Sequence, residues 1–162
     1  MQPKYAFVIV NKVFVILINL LIFSLPLQIK YGNRFINFED LPIKAKTFVR
    51  TYFGHYDIRF VKIEMTMTRT DYTVQFENGM RIEFNSNGDW DEVNSPSDCL
   101  PSDFLNNMIV NYLNKYYPDY CLQVISKGKH KFEVELTNGL ELIFNKKGEF
   151  LRYDHKHFQN NT

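Results

Sequence analysis

Phe84-Asn85-Ser86-Asn87-Gly88-Asp89-Trp90 comes back further along the chain as Phe144-Asn145-Lys146-Lys147-Gly148-Glu149-Phe150. Upstream of each copy stands an Asn-Gly pair, Asn78-Gly79 and Asn138-Gly139, and further upstream a Leu-Pro pair, Leu41-Pro42 and Leu100-Pro101. The Asn-Gly pairs and the later glycines recur about 60 residues apart, a period that marks a duplicated supersecondary unit. Each unit is small, and a unit of roughly 55 residues buries only about 60% of its unfolded surface, so two units packed together are expected rather than two independent beads.

Within each unit the apolar period changes from helical to extended. Ala45, Phe48, Val49, Tyr52 and Phe53 follow one helical face, and Leu105, Met108, Ile109, Tyr112, Leu113 and Tyr116 do so again. Pro42 and Pro101 suit a first helical turn, where a missing N–H costs nothing. Pro118 stops the second helix, and Gly54 is expected to end the first through a left-handed cap. Val61, Ile63, Met65 and Met67 then alternate with Phe60, Lys62, Glu64 and Thr66, as on a strand with one buried face. Tyr72, Val74 and Phe76 lead into Asn78-Gly79 and Met80, Ile82 and Phe84 lead out; Phe132, Val134 and Leu136, then Leu140, Leu142 and Phe144 repeat this around Asn138-Gly139. An Asn-Gly pair between alternating apolar runs is a strong hairpin signal, read here as a turn with both residues at positive φ. A further turn at Asn87-Gly88 or Lys147-Gly148 leads to a last strand. The expected fold is α+β, two tandem modules of one helix and a four-stranded antiparallel sheet, with each helix covering its sheet's apolar face. The modules run over residues 38–94 and 99–154, joined by the turn-rich Asn94-Ser95-Pro96-Ser97-Asp98; Lys30 to Asp40 reads as a tether and residues 155–162 as a disordered tail.

Residues 1–28 are a different kind of sequence. Lys4 and Lys12 precede the apolar run Val13 to Phe23, the order of a secretory signal peptide. No small-x-small cleavage site follows, so an uncleaved signal anchor is the alternative; Tyr5 to Ile29 is long enough to cross a bilayer, although Lys12 and Asn19 interrupt it. The formal charge of +1 is near neutral, without the basic footprint of a nucleic-acid binder. Cys99 and Cys121 would suit a disulfide in an exported chain. A continuous second helix of about 16 residues between them would hold them roughly 24 Å apart, so they are expected to be two separate buried thiols.

The sequence of Leu-Pro, helix, alternating strand, Asn-Gly hairpin and Phe-Asn-x-x-Gly-x-Trp resembles the PepSY-like family of beta-lactamase-inhibitor-like proteins exported by Bacteroides-type bacteria. The resemblance covers Asp40 to Tyr153, and its most specific parts are Phe84 to Trp90 and the two Leu-Pro starts. It implies side-by-side modules, a periplasmic or surface location, and a role in binding or inhibiting proteins. The first unit has Gly54-His55-Tyr56 where the second carries the more family-like Pro118-Asp119-Tyr120, and Phe150 replaces Trp90 in the second. No inhibitor contact residue matches a position here, so lactamase inhibition does not carry over, and fold alone is a weak warrant for function.

Few side chains are spaced for chemistry. His155-Lys156-His157 offers two metal ligands where a site needs three or four. Glu64, Glu83, Glu133, Glu135 and Glu141 fall opposite the apolar parity, among Lys62, Arg81 and Lys131, as on a solvated sheet face. A glycosidase-like pair among them would need burial to shift a carboxylate, which nothing in the sequence provides. His55 and His130 stand alone, Ser95, Ser97 and Ser102 carry no nucleophile motif, and Gly88 and Gly148 lie outside any phosphate-loop context. No cofactor, catalytic residue or metal site is expected. The favoured reading is an exported non-enzymatic module that binds a protein, an inhibitor or regulator of a hydrolase or peptidase, through the face opposite the core. Its expected contacts are Gln75, Arg81, Glu83, Glu133 and Glu135, with Trp90 as an aromatic anchor; Phe60 and Ile143 fall out of phase with the buried parity. A membrane-tethered sensory or structural domain is the second reading, requiring the leader to stay attached, and an enzyme of unrecognised type is the third, requiring a deep pocket of convergent ionisable groups.

Overall fold

The Phe-Asn-x-x-Gly stretches form turns that join one strand to the next. Asn85 and Asn145 sit at the ends of strands, and each turns its Oδ1 back to accept two backbone N–H groups, from Asn87 and Asp89 at 2.9 and 3.2 Å and from Lys147 and Glu149 at 2.9 and 3.0 Å. An Asn side chain standing in for backbone carbonyls is a common turn device. The glycine that follows takes a positive φ, 78° at Gly88 and 90° at Gly148. Each turn also lies against the start of a helix: a Cβ on Gly88 would stand 2.7 Å from Pro42 Cβ, and one on Gly148 would stand 2.9 Å from Asn106 Cγ.

The structure, a computed structural model, describes residues 32–154. The leader and the tail, including the histidine pair, lie outside the described residues. In chain order the elements are β1 (Gly32–Ile36), a 3-10 turn (Phe38–Asp40), α1 (Ile43–Phe53), β2 (Ile58–Met65), β3 (Thr70–Phe76), β4 (Arg81–Asn85), β5 (Trp90–Asn94), α2 (Asn107–Tyr116), β6 (Leu122–Lys127), β7 (Lys131–Leu136), β8 (Glu141–Asn145) and β9 (Phe150–Asp154). All the strands form one nine-stranded antiparallel sheet in the order β1 to β9.

That corrects the expectation of two four-stranded modules. Four strands do follow each helix, but β5 pairs with β6 through Glu92↔Ser126, Val93↔Ile125 and Asn94↔Val124, and Ser95 donates its N–H to Gln123 O at 2.9 Å. A four-strand unit would leave the outer backbone groups of β5 unpaired, and pairing them with β6 satisfies both edges. Lys30 to Asp40 is no simple tether either, since β1 extends the sheet beyond β2.

Both helices lie on one face, over a single core. Ala45, Val49 and Phe53 of α1 and Ile109 and Leu113 of α2 are buried with Val61, Val74, Phe76, Met80, Ile82, Phe84, Ile125, Val134, Leu136, Leu142 and Phe144. Phe104, ahead of α2, packs against Phe48 of α1 at 5.3 Å and Trp90 at 5.5 Å, carrying the core across the join. The helix ends differ from expectation in three places. Pro42 is the N-cap of α1, its carbonyl accepting from Lys46 at 3.1 Å, and Gly54 ends α1 at φ −65°. Glycine suits position 54 because a Cβ would stand 2.6 Å from Arg50 O, so the reason is space and not a left-handed cap. Pro101 lies before α2, which starts at Asn107 with Asn106 Oδ1 accepting from Met108 N–H at 2.8 Å. The Asn-Gly hairpins also differ in detail. In each hairpin the glycine, Gly79 or Gly139, has positive φ and the preceding asparagine does not, with Phe76 and Leu136 each donating to the residue after the glycine. This is the three-residue hairpin with a glycine bulge.

The late start of α2 overturns the prediction of separate thiols. Residues ahead of α2 run beside β6, with Leu100 N–H donating to Leu122 O at 2.9 Å, and Cys99 and Cys121 form a disulfide with Cα atoms 5.4 Å apart.

Candidate functional site

With both helices on one face, the other face of the sheet is open. Strand alternation assigns it Phe35 of β1, Phe60, Lys62 and Glu64 of β2, Asp71, Thr73 and Gln75 of β3, and Arg81 and Glu83 of β4. One cross-strand row runs Phe35, Lys62, Thr73, Glu83, Glu92, Ser126, Glu133, Ile143, Arg152. Over β1 to β4 this face forms a trough of about 270 Å³, lined by Phe35, Phe60, Lys62, Thr73, Gln75, Arg81 and Glu83 among others.

Three of the residues expected from the sequence, Gln75, Arg81 and Glu83, come together there. Gln75 is tied down, its amide donating to Met80 O at 3.0 Å. Arg81 lies between two carboxylates, Glu83 at 3.5 Å and Glu92 at 3.1 Å, and so offsets the repulsion within the cross-strand pair Glu83 and Glu92. Glu133 and Glu135 share the open face in the second half but do not line the trough; Glu133 is held by Lys131 at 2.6 Å. Trp90 is elsewhere. It lies on the helix side between Phe48 at 6.1 Å and Phe132 at 6.2 Å, both stacked, with Lys127 Nζ 5.0 Å over its ring. Its position in the packed face follows from its cross-strand neighbour, the buried Phe84.

Both residues that fall out of phase do face the open side. Phe60 packs edge-on against Phe35 with ring centroids 5.3 Å apart. Ile143, flanked on that face by Glu133 and Arg152, is only 2% exposed and stands apart from the core cluster. Phe35 itself escapes sequence reasoning. The short run Arg34-Phe35-Ile36 after Gly32 carries a strand signal, but the stretch around it reads as a tether. Met67, expected in a buried row, is instead 85% exposed, because β2 ends at Met65 and residue 67 belongs to the hairpin loop.

Four carboxylates of this face are engaged by cations two residues away in sequence: Glu64 by Lys62 at 3.5 Å, Asp71 by Arg69 at 2.6 Å, Glu133 by Lys131, and Asp154 by Arg152 at 3.9 Å. Such exposed pairs contribute little to stability and keep the face soluble. At the β2–β3 end a polar groove of about 690 Å³ is lined by Thr66, Arg69, Asp71, Asn85, Asp91 and Lys127 among others. Arg69 also reaches Asp91 at 3.6 Å. Burial pushes the Asp91 carboxyl up, against the opposing pull of Arg69 and Lys127. The hydrogen bond to Asp71 holds Arg69 charged. Among the described residues no group of three or more His, Cys, Asp or Glu could hold a metal ion. The open face is thus a charged, mostly paired surface with an aromatic corner at β1 and β2.

The comparisons with known proteins agree with this fold. Residues 70–152 match the family described as "Putative beta-lactamase-inhibitor-like, PepSY-like". A solved structure from Bacteroides vulgatus, described as a "putative periplasmic protein", is 32% identical with a TM-score of 0.71, covering 75% of this chain and 96% of its own. Another, from Bacteroides thetaiotaomicron and described as a "putative calcium-regulated periplasmic protein", is 29% identical with a TM-score of 0.73, covering 75% and 96%. A third, also from Bacteroides vulgatus and described as a "putative periplasmic protein of unknown function", is 29% identical with a TM-score of 0.70, covering 76% and 99%. No curated protein matches the chain. With half of its length matched and a 32% identical solved relative covered over 96% of that relative's own length, the chain belongs to the PepSY-like, beta-lactamase-inhibitor-like family.

Proposed function

We propose that this chain is an exported, non-enzymatic module that binds a protein partner on the open face of its sheet. The observation that carries the reading is the trough over β1 to β4, where Gln75, Arg81 and Glu83 meet the aromatic corner of Phe35 and Phe60. Aromatic and arginine side chains supply much of the energy at protein interfaces, within a polar rim. Export is supported by the periplasmic descriptions of the neighbours and by the Cys99–Cys121 disulfide, a bond that persists in oxidising compartments. The calcium regulation in the description of one neighbour finds no free carboxylate pair at the polar groove. Where Asp71 and Asp91 converge, the Arg69 guanidinium already pairs with both.

The test is affinity capture from periplasmic extract with the full chain and with Thr73→Lys, which fills the middle of the trough. A partner held by the parent and released at least about tenfold by the variant, at unchanged melting temperature, is the expected result. Equal capture by both chains would sink the open-face assignment. Return of no partner would sink the binding reading itself.

A further inference from the structure

The two outer strands of the sheet are built differently. β9 carries a register shift opposite Ile143 and Phe144 and presents Arg152 and Asp154, features that discourage edge pairing in natural sheets. β1 pairs with β2 in an unbroken register from Gly32↔Met65 to Ile36↔Val61, contains no Pro or Lys, and presents Phe35 at 73% exposure. Among the described residues no strand lies beyond it. Alternation sends Phe35 to the open side and Arg34 and Ile36 to the helix side. Each side has a cavity with β1 as its wall: the trough on the open side, and a hollow of about 700 Å³ on the other, lined by Arg34, Ile36, Asn37, Asp40, Ile63 and Tyr72 among others. Arg34 makes no ion pair among the described residues, and its cross-strand row continues through Ile63 and Tyr72, neither of them charged.

We propose that β1 is a strand-addition site: an extended segment of a partner protein, with apolar side chains alternating with acidic ones, pairs antiparallel along the outer edge of β1. This rests on the partner-binding reading and supplies its mode. Backbone hydrogen bonds to the edge give affinity, and side chains entering the flanking cavities fix register and choice of partner. The segment's apolar side chains lie against Phe35 and Phe60, and its acidic ones stand across from Arg34; cross-strand pairs of both kinds are favourable. A second copy of this chain fits less well, because pairing two β1 strands about Arg34 sets one guanidinium against the other.

The test uses the purified full chain and a synthetic capped peptide in which Val and Phe alternate with Glu, read by hydrogen exchange at single amides. The outward-facing amides of β1 should exchange at least about tenfold more slowly with saturating peptide, and those of β9 should not change. Arg34→Glu, at an exposed position, should abolish that protection and create it for a peptide in which Lys replaces Glu. The proposal is overturned if the Glu peptide leaves β1 unprotected, if Arg34→Glu does not reverse the preference, or if β1 becomes protected with rising protein concentration alone. It is also overturned if Arg34→Glu, on the helix side of β1 and outside the trough, captures the partner as well as the parent does, an outcome that leaves the open-face reading intact.

Discussion

Gly88 and Gly139 both take a φ of +78°, yet they answer to different constraints. A Cβ at Gly139 meets nothing within 4 Å, whereas one at Gly88 runs into Pro42 and the Ala45 backbone. Gly139→Ala should therefore cost about 1–2 kcal/mol, the left-handed conformation alone. Gly88→Ala should cost roughly 2–4 kcal/mol, because the turn must also move off the start of α1. Urea denaturation of the two variants checks this, and equal costs would show that the turn does not lock the helix. Asp91 yields a prediction in pH. Its carboxyl is raised by burial above the ordinary value of about 3.9, so the folded protein holds that proton more tightly than the unfolded chain. The associated stability is present below the ordinary value and is lost as pH rises through the folded one. Asp91→Asn removes this titration, so its stability relative to the parent should rise as pH increases from about 4. Urea midpoints measured across that range should show it; a flat difference would contradict an upward shift at Asp91.

Among the elements, α2 shows where periodicity fails. Leu105, Met108, Ile109, Tyr112, Leu113 and Tyr116 keep helical spacing, but Leu105 is buried ahead of the helix, and Met108 and Tyr116 are about half exposed. Asn106, a good N-cap, is the legible start signal, and the Leu-Pro pair masks it by its likeness to Leu41-Pro42. Starting the helix later leaves the preceding residues free to return along β6, which brings Cys99 to Cys121. The bond closes a loop with a sequence separation of 22, so chain entropy assigns it roughly 3 kcal/mol. Reduction, or paired Cys→Ser replacement at both positions, should lower the unfolding free energy by about that amount, measured in urea with and without reductant. An unchanged midpoint would mean that the segment before α2 is held by its packing alone, through Phe104 and Leu100.

For the whole molecule the decisive contact is β5 with β6. One sheet and one core cluster join the halves, with Phe104 crossing between them, so unfolding should be a single cooperative transition. Phe144→Ala, a fully buried truncation in the second half, should cost about 3–5 kcal/mol and lower hydrogen-exchange protection in β2 to β4 as well as in β7 and β8. Loss of protection in the second half alone would restore two independent modules. The same scale decides the candidate site. Alternation alone is enough to place Gln75, Arg81 and Glu83 on the open side, but their meeting with Phe35 needs β1 to be a strand. Trp90 cannot be assigned to a face from its neighbours in sequence, because the register shift between Glu83 and Phe84 breaks the alternation of β4 with β5.

Local physics settled what the sequence could determine by itself: the first helix, the positions of the turns and the choice of one buried parity away from the register shifts, all of which depend on side-chain period and on what glycine and asparagine allow at a turn. Only the tertiary structure decided that the strands join into one sheet, that β1 forms its edge, and that the two cysteines meet. Each of those depends on which distant backbone groups find partners, and residue spacing along the chain does not encode it.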